Sequence, residues 1–287
     1  MFKRVSTSVV GIILLMLIMY FGGIWIAFGA GLLAALSWYE YSRILQHKNY
    51  CAPKISGALV LGLTVFIGGY LASAWLLALY VLLGLALIFY GFKRQISWGN
   101  LTALIFAFGY YAFGFTAFVL LRNGDFERKL DISLIQGIIE GNTTLDISDL
   151  ILGDTAYFYC LFFAFLIAWV SDSGAFFVGR AIGKHKLAPN ISPSKTIEGA
   201  IGGLICALIV CGVYAKLFLP DHLIALLIIA LIACIGGQIG DLLESALKRW
   251  AGVKDSGNIL PGHGGILDRF DSMMIIAPLV YIGFMVI

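Results

Sequence analysis

Residues 5–38 read VSTSVVGIILLMLIMYFGGIWIAFGAGLLAALSW, a run of 34 residues without a charged side chain. A helix crosses the hydrocarbon core of a bilayer with about 20 residues, so this run is too long for one comfortable span. Gly22-Gly23 lies near its middle. We therefore predict a helical hairpin of two short spans, and one long tilted helix is the competing interpretation.

Further apolar runs follow along the rest of the chain. Residues 56–91 repeat the first pattern, with Gly68-Gly69 and Ser73 near the middle, and predict a second hairpin. Single spans are predicted at about 101–121, 155–178, 197–219, 223–243 and 272–287. Together these runs predict an all-α polytopic membrane protein with about nine transmembrane helices.

The composition agrees with a membrane protein. The 287 residues are 61% hydrophobic and 12% charged, with a mean hydropathy of +0.96, whereas a soluble domain carries roughly 25% charged residues. The chain starts with MFKR before the first apolar run and shows no small-residue cleavage site, so we expect an uncleaved first span. The five cysteines include no C-x-x-C spacing, which argues against a disulfide framework or a zinc site.

The positions of Lys and Arg predict the orientation, because short cytoplasmic loops collect these residues. With nine spans and a cytoplasmic N-terminus, 15 of the 19 basic residues fall on the cytoplasmic side and the C-terminus lies on the outer side. A seven-span arrangement would move Arg43, Lys48 and Lys54 outside and fits less well. The net charge of +3 is thus an orientation signal, and nothing indicates a nucleic-acid partner.

The predicted organisation has three parts. Residues 1–121 form about five spans, with two short hairpins among them, and residues 122–154 form an outer loop to which no chemistry is assigned. Residues 155–287 form the catalytic membrane region, with cytoplasmic loops at 179–196 and 244–271.

Carboxylates interrupt two of the predicted spans. The span at 155–178 contains Asp172 and runs into VSDSGAFFVGR, residues 170–180. The span at 223–243 contains Asp241 and runs into GDLLESALKRW, residues 240–250. Ionisable groups inside spans are costly and by default functional, although carboxylates at a cytoplasmic end can simply be hydrated. On a helix, Asp241 and Ser245 share a face with Lys248, and Glu244 lies beside them.

Two polar segments on the same predicted side suggest a phosphate-binding site. PGHGG at 261–265 follows Lys254 and Asp255 and precedes Asp268, Arg269 and Asp271. Glycines permit close backbone approach to a ligand. The loop GRAIGKHKLAPNISPSKTIEG at 179–199 carries Lys184, Lys186 and Lys195 but does not have the spacing of a Walker A motif. His263 fits either a ligand contact or a structural hydrogen bond.

Paired carboxylates beside basic loops suggest transfer chemistry on phosphates. Mg²⁺ binds through one or two carboxylates together with substrate phosphates. Basic side chains stabilise charge that develops on the phosphorus and on the leaving pyrophosphate. The residues alone therefore predict a membrane-embedded, Mg²⁺-dependent phosphoryl or nucleotidyl transferase.

The stretch SALKRWAGVKDSGNILPGHGGILDRFD at 245–271 resembles the complete signature of the phosphatidate cytidylyltransferases, or CDP-diacylglycerol synthases. SDSGAFFVGRAIGKHKLAPNISPSKTIEGAIGG and GDLLES also resemble the bacterial members. The resemblance covers roughly residues 160–280.

This resemblance implies that CTP and phosphatidate are converted to CDP-diacylglycerol and pyrophosphate at the cytoplasmic face of the inner membrane, in phospholipid biosynthesis. It also implies a homodimer, Mg²⁺ bound by Asp241 and Asp268, and K⁺ as a second cation. The alternatives are a CTP-dependent polyprenol or phytol kinase, which would activate a neutral alcohol, and a cation-coupled transporter with carboxylates at the bilayer midplane.

The candidate site residues form two sets. The catalytic candidates are Asp172, Lys195, Asp241, Arg249 and Asp268. The candidates for substrate binding are Lys184, Lys186, Ser192, Ser194, Glu244, Ser245, Lys248, Lys254, Asp255, His263, Gly264, Gly265, Arg269 and Asp271.

Overall fold

A computed structural model describes residues 2–69, 73–94, 96–124, 157–260, 262 and 264–287. The long helices of the first half are α1 (Phe2–Phe21), α2 (Gly23–Gln46), α3 (Lys54–Gly68), α4 (Ser73–Arg94) and α5 (Trp98–Asn123). The second half contains α6 (Phe158–Ile182), α7 (Ile197–Phe218), α8 (Leu223–Ala251), the short α9 (Leu267–Phe270) and α10 (Met273–Val286). A hairpin of β1 (Lys186–Ala188) and β2 (Ser192–Thr196) precedes α7, and a 3₁₀ turn, Pro220–His222, precedes α8.

The all-α polytopic class is confirmed. Within these ranges, six segments are long and apolar enough to cross a membrane: Gly23–Gln46, Trp98–Asn123, Phe158–Ile182, Ile197–Phe218, Pro220–Ala251 and Leu267–Val286. Three shorter apolar helices accompany them: Val9–Phe21, Lys54–Gly68 and Leu79–Gly91. Their positions match the predicted runs, while the count of nine crossings and their orientation stay predictions.

The first apolar run is divided where the glycine pair predicted a break. Gly22 has φ of 61°, which ends α1, and Ile18 lies against Gly29 on α2. Two residues eleven apart on one straight helix would be about 16 Å apart, so the chain folds back here. The single long helix is therefore wrong for residues 5–38.

Arg122 and Asn123 stabilise this fold-back. Arg122 is fully buried and donates hydrogen bonds to the carbonyl oxygens of Met19 and Tyr20, which α1 leaves without intrahelical partners at its end. Asn123 accepts a hydrogen bond from the backbone N–H of Gly23 at 2.7 Å. Both residues belong to the end of α5, although Arg122 was assigned to the outer loop from the sequence; residues 125–154 of that loop lie outside the described residues.

The chain divides into two compact units. The first comprises Met1–Phe158 and Gly257–Ile266, and the second comprises Tyr159–Ser256 and Leu267–Ile287. In the first unit, α2 and α3 approach closely where Gly31 faces Gly62, because neither glycine has a side chain. A Cβ on either one would collide with the opposite backbone. Trp38 is buried nearby and donates a hydrogen bond to the carbonyl oxygen of Pro53 at 2.8 Å.

Small residues also govern helix packing in the second unit. Gly236, Gly237 and Gly240 form one face of α8 against α10, and a Cβ on Gly240 would lie 2.7 Å from the carbonyl oxygen of Asp271. Gly203 of α7 similarly lies against the backbone of Ser171 on α6. These close contacts bring the polar ends of α6, α8 and α10 into one region of this unit.

Regular structure extends into the segments predicted as cytoplasmic loops. Helix α6 continues to Ile182 and α8 continues to Ala251, where Gly252 ends the helix with φ of 77°. Residues 186–196 form an antiparallel hairpin in which Lys186 pairs with Thr196 and Ala188 pairs with Ser192. The basic loop is therefore an ordered hairpin rather than an irregular connection.

Candidate active site

The carboxyl-terminal part of α8 and the start of α9 carry the candidate carboxylates of the second unit. Asp241 and Glu244 lie on α8, Asp268 lies on α9, and Asp271 follows α9 immediately. The glycine face of α8 places its backbone against the carbonyl oxygen of Asp271. Close helix packing therefore brings together acids that are about 25 residues apart in the sequence.

Lys195 forms an ion pair with Asp241. Both side chains are about one quarter exposed, so the pair is partly shielded from water. Ser245, one turn further along α8, donates a hydrogen bond to Asp241 Oδ1 at 3.3 Å. The structure thus pairs two residues that were selected separately as catalytic candidates from the sequence.

A second lysine lies between two further acids. Lys248 Nζ lies 2.6 Å from Asp268 Oδ1 and 3.3 Å from Glu244 Oε2. All three side chains are largely buried, with exposed fractions of 12% or less. Charge pairs in such surroundings interact more strongly than surface pairs because water screens them less.

Ser256 is a member of this cluster that the sequence analysis did not select. Its backbone N–H and its hydroxyl both donate to Asp268 Oδ2, each at 3.0 Å. Ser256 lies within the quoted signature, between Asp255 and Gly257. Its contact with Asp268 depends on the fold of the chain between the two residues, so the sequence alone did not indicate it.

Asp172 is near enough to the cluster for its charge to interact with Asp271, Asp241 and Lys195. It lies on α6, which approaches α7 at Gly203. Asp271 also accepts a hydrogen bond from the backbone N–H of Ser272 at 2.7 Å. Asp172 and Asp271 therefore add two further carboxyl groups beside the two lysine–carboxylate pairs.

The hairpin that carries Lys195 is held by Glu198, a second residue missed by the sequence analysis. Its carboxylate accepts hydrogen bonds from the backbone N–H groups of Lys184 and His185 and lies 2.6 Å from His185 Nδ1. Thr196 caps α7 by accepting a hydrogen bond from Gly199 N–H at 3.1 Å. The position of Glu198 in the first turn of α7, directly after the PSKT segment, was the sequence signal for its contact with the hairpin.

Arg249 connects the end of α8 to the hairpin turn. It donates from Nε to the carbonyl oxygen of Ile191 at 3.2 Å and from Nη1 to that of Val253 at 3.1 Å. The guanidinium remains exposed, so it has further donors available for a ligand. Arg249 therefore lies beside the same hairpin as Lys195.

The remaining candidates are placed without individual roles. Lys186, Ser192 and Ser194 lie in the strands of the hairpin. Lys254 and Asp255 follow α8, and Arg269 lies on α9. His263 and Pro261 lie outside the described residues.

The glycine-rich segment belongs to the first unit, where it forms a tight loop. The backbone N–H of Leu260 donates to the carbonyl oxygen of Gly264 at 3.0 Å. Gly262 and Gly264 have φ of 80° and 83°, a backbone region that residues with a Cβ rarely adopt. Gly265 is buried beside them. Glycine therefore suits the backbone conformation at these two positions, while the predicted approach to a ligand stays a prediction.

The donor chemistry of the second unit fits a hard divalent cation. Asp241 and Asp268 offer carboxylate oxygens, which Mg²⁺ prefers, and both are only partly exposed. Among the described residues, no three His, Cys, Asp or Glu side chains gather closely enough to hold an ion alone. The protein could therefore supply one or two ligands, leaving the others to phosphate and water.

A family model described as "Cytidylyltransferase family" matches residues 2–287. The chain belongs to the cytidylyltransferase family. Membership makes it a nucleotidyltransferase enzyme and implies dependence on a divalent metal in general, in agreement with the carboxylate cluster.

Curated relatives in the cytidylyltransferase family carry a more specific name. A phosphatidate cytidylyltransferase of Staphylococcus haemolyticus (strain JCSC1435) is 35% identical over 289 residues, covering 97% of this chain and 97% of that protein. A phosphatidate cytidylyltransferase of Bacillus subtilis (strain 168) is 54% identical over 122 residues, covering 42% of this chain and 45% of that protein. The first similarity extends over nearly the whole of both chains.

Proposed function

We propose that this cytidylyltransferase condenses CTP with phosphatidate to form CDP-diacylglycerol and pyrophosphate, in phospholipid biosynthesis. The observation that carries the proposal is a similarity to phosphatidate cytidylyltransferases over 97% of the chain. The paired lysines and carboxylates of the second unit provide the charges that such a reaction requires.

The proposed reaction is an in-line displacement at phosphorus. A phosphate oxygen of phosphatidate attacks the α-phosphorus of CTP, and the bond between that phosphorus and the oxygen bridging to the β-phosphorus breaks. The electron pair leaves with pyrophosphate. Because the attacking oxygen is already an anion, no side chain has to remove a proton from it.

The basic residues are proposed to bind the phosphates. Lys195, Lys248, Arg249 and Arg269 would neutralise charge on the triphosphate and on the leaving pyrophosphate. Lys195 forms an ion pair with Asp241, and Lys248 forms one with Asp268. A phosphate that approached either lysine would therefore bind an ammonium group that a carboxylate already orients. Lys184 and Lys186 would add positive charge from the hairpin.

Asp241 and Asp268 are proposed to hold Mg²⁺. The cation, when bound, withdraws negative charge from the phosphate oxygens. Asp172, Glu244 and Asp271 would complete or orient the site, and the resemblance of the signature suggests K⁺ as a second cation. Residues 261–265 are proposed to wrap the nucleotide or the pyrophosphate through their backbone.

The membrane setting is proposed as follows. The protein is a multi-pass protein of the cell membrane, and we assign it to the inner, cytoplasmic membrane with the acyl chains of phosphatidate remaining in lipid. We further propose nine spans, a cytoplasmic N-terminus, the three-part organisation given above, and a homodimer.

Two labels on CTP distinguish the proposed reaction from its enzymatic alternative. Purified protein is incubated with phosphatidate or with a polyprenol, Mg²⁺ and CTP labelled on either the α- or the γ-phosphate. Cytidylyl transfer places the α-label in lipid and releases the γ-label as pyrophosphate, with phosphatidate as the acceptor. A lipid kinase instead places the γ-label in the polyprenol, and that outcome would exclude our assignment. A transporter labels neither lipid.

A further inference from the structure

Both ends of the glycine-rich segment 257–266 meet one side chain, Glu40 of α2, within the first unit. The backbone N–H of Ile266 donates to Glu40 Oε1 at 3.1 Å. Gly257, at the other end, lies so close that a Cβ there would collide with the carboxylate of Glu40. One acid therefore contacts the beginning and the end of a ten-residue loop.

Glu40 is an unusual residue for its surroundings. It is 1% exposed and is the only acidic side chain of α2, whose sequence GIWIAFGAGLLAALSWYEYSRILQ is otherwise mainly apolar. Burying a carboxylate is costly unless hydrogen bonds or counter-charges compensate. Such a residue within a helix that is long and apolar enough to cross a membrane is by default functional rather than incidental.

The loop needs an external support of this kind. Gly262 and Gly264 adopt positive φ, and glycines lose more conformational freedom on ordering than other residues. Within the described part of the loop, the bond from Leu260 N–H to the Gly264 carbonyl closes its tip. The contacts at Gly257 and Ile266 restrain its base.

We propose that Glu40 is a positioning residue that holds the loop 257–266 in the shape needed to bind the nucleotide; the functional part of this inference rests on the proposed function. Glu40 acts through the loop backbone and touches no reacting atom. The bond from Ile266 N–H attaches the end of the loop to a carboxyl group that is itself held inside the first unit. Removing the acceptor leaves a buried N–H without that partner and loosens the base of the loop.

The test uses variants on both sides of the contact in the full-length protein. Glu40→Gln keeps an oxygen that accepts the Ile266 N–H, whereas Glu40→Val removes it. Gly257→Ala leaves the sequence of α2 unchanged, and its added methyl group forces the Glu40 carboxylate away from the loop. Ser42→Ala, at a buried position of α2, and Gly109→Ala, at an open position of α5, are the matched controls.

Two measurements are made on each variant: hydrogen–deuterium exchange along the chain, and the steady-state KM for CTP and for phosphatidate. We expect Glu40→Val and Gly257→Ala to speed exchange in 257–266 and to raise KM for CTP about tenfold, as loss of one buried hydrogen bond would do. KM for phosphatidate should stay near the parental value. Glu40→Gln should lie nearer the parent in both readings, and the controls should match the parent.

The proposal is overturned if exchange in 257–266 is unchanged in both Glu40→Val and Gly257→Ala. It is also overturned if exchange rises evenly over the first unit in Glu40→Val while Gly257→Ala resembles Gly109→Ala, because Glu40 would then stabilise the helices and not the loop. If the loop loosens but KM for CTP does not change, the loop does not bind nucleotide and the positioning role is refuted. Absence of cytidylyl transfer by the parent, with the exchange result intact, would instead refute the proposed function and leave the contact standing.

Discussion

The ammonium group of Lys248 lies 2.6 Å from the carboxylate of Asp268, twenty residues further along the chain, and also faces Glu244 at 3.3 Å. One lysine therefore balances two largely buried carboxylates. Among the described residues, Lys195 by contrast forms an ion pair with one acid, Asp241, at a position about one quarter exposed. The two pairs differ in burial and in the number of acids that depend on the lysine.

This difference predicts unequal stability losses. Lys248→Met should lower the free energy of unfolding by about 3 kcal/mol, because two buried acids lose their counter-charge. Lys195→Met should cost about 1 kcal/mol or less, since water reaches Asp241. Denaturant unfolding in detergent measures both. Equal losses of unfolding free energy in the two variants would show that the greater burial of Lys248 and its two acids does not affect stability.

The carboxylates Asp241 and Asp268 should be required for activity. Asp241→Asn and Asp268→Asn should each lower kcat/KM by at least about 100-fold, because each variant loses a proposed ligand of the cation that offsets negative charge on the phosphates. The double variant should be little worse than either single variant, because the two residues act as a unit. Asp221→Asn, in the turn before α8, is the control.

Metal titration separates a ligand role from a structural one at these positions. Mg²⁺ should raise the melting temperature of the parent, because binding to the folded state stabilises it, and should do so much less in Asp241→Asn or Asp268→Asn. A variant with near-parental activity at low Mg²⁺ would show that its carboxylate is not a ligand.

Arg249→Lys should weaken the use of CTP about tenfold in kcat/KM. Arginine donates to Ile191 and Val253 while keeping further N–H groups for phosphate, and a lysine ammonium lacks this planar arrangement. Arg180→Lys, on the last turn of α6, serves as the control. Unchanged kinetics for CTP would show that Arg249 does not bind CTP and that its charge serves only to orient the protein in the membrane.

Glu198 should determine the order of the hairpin that carries Lys195. Glu198→Ala removes the acceptor for two backbone N–H groups, so residues 183–196 should become more sensitive to protease. Glu198→Gln retains one oxygen and should be intermediate. Cleavage at the parental rate in Glu198→Ala would mean that the strand pairing alone holds the hairpin.

The orientation is testable with introduced thiols in a cysteine-free protein. Asn258→Cys should be labelled only from the cytoplasm, and Asn142→Cys, outside the described residues, only from the other side. Asn258 is exposed, whereas Ser256 is buried on Asp268 and would label poorly from either side. Labelling of both thiols from one side would contradict the nine-span arrangement.

Much of the helical organisation could be predicted because it depends on local composition. Long apolar runs must form hydrogen-bonded helices in a bilayer. The helix breaks at Gly22-Gly23, where both residues have a positive φ that residues with a Cβ rarely adopt. The extension of α2 to Gln46 was missed, since its last turns carry Glu40, Arg43 and other polar residues that ended the apolar pattern at Trp38. Burial of a polar helix face depends on neighbouring helices and not on composition.

The sequence by itself determined the class of protein, the polar segments and the residue types that handle phosphate, because hydropathy and a motif of fixed spacing are properties of the chain alone. The tertiary structure decided the partners: Lys195 with Asp241, Ser256 with Asp268, and Glu40 with Ile266, which are 46, 12 and 226 residues apart. A hydrogen bond or ion pair requires atoms within about 3 Å of each other. Only helix packing, at glycines such as Gly240 that allow close backbone approach, brings distant residues to that separation.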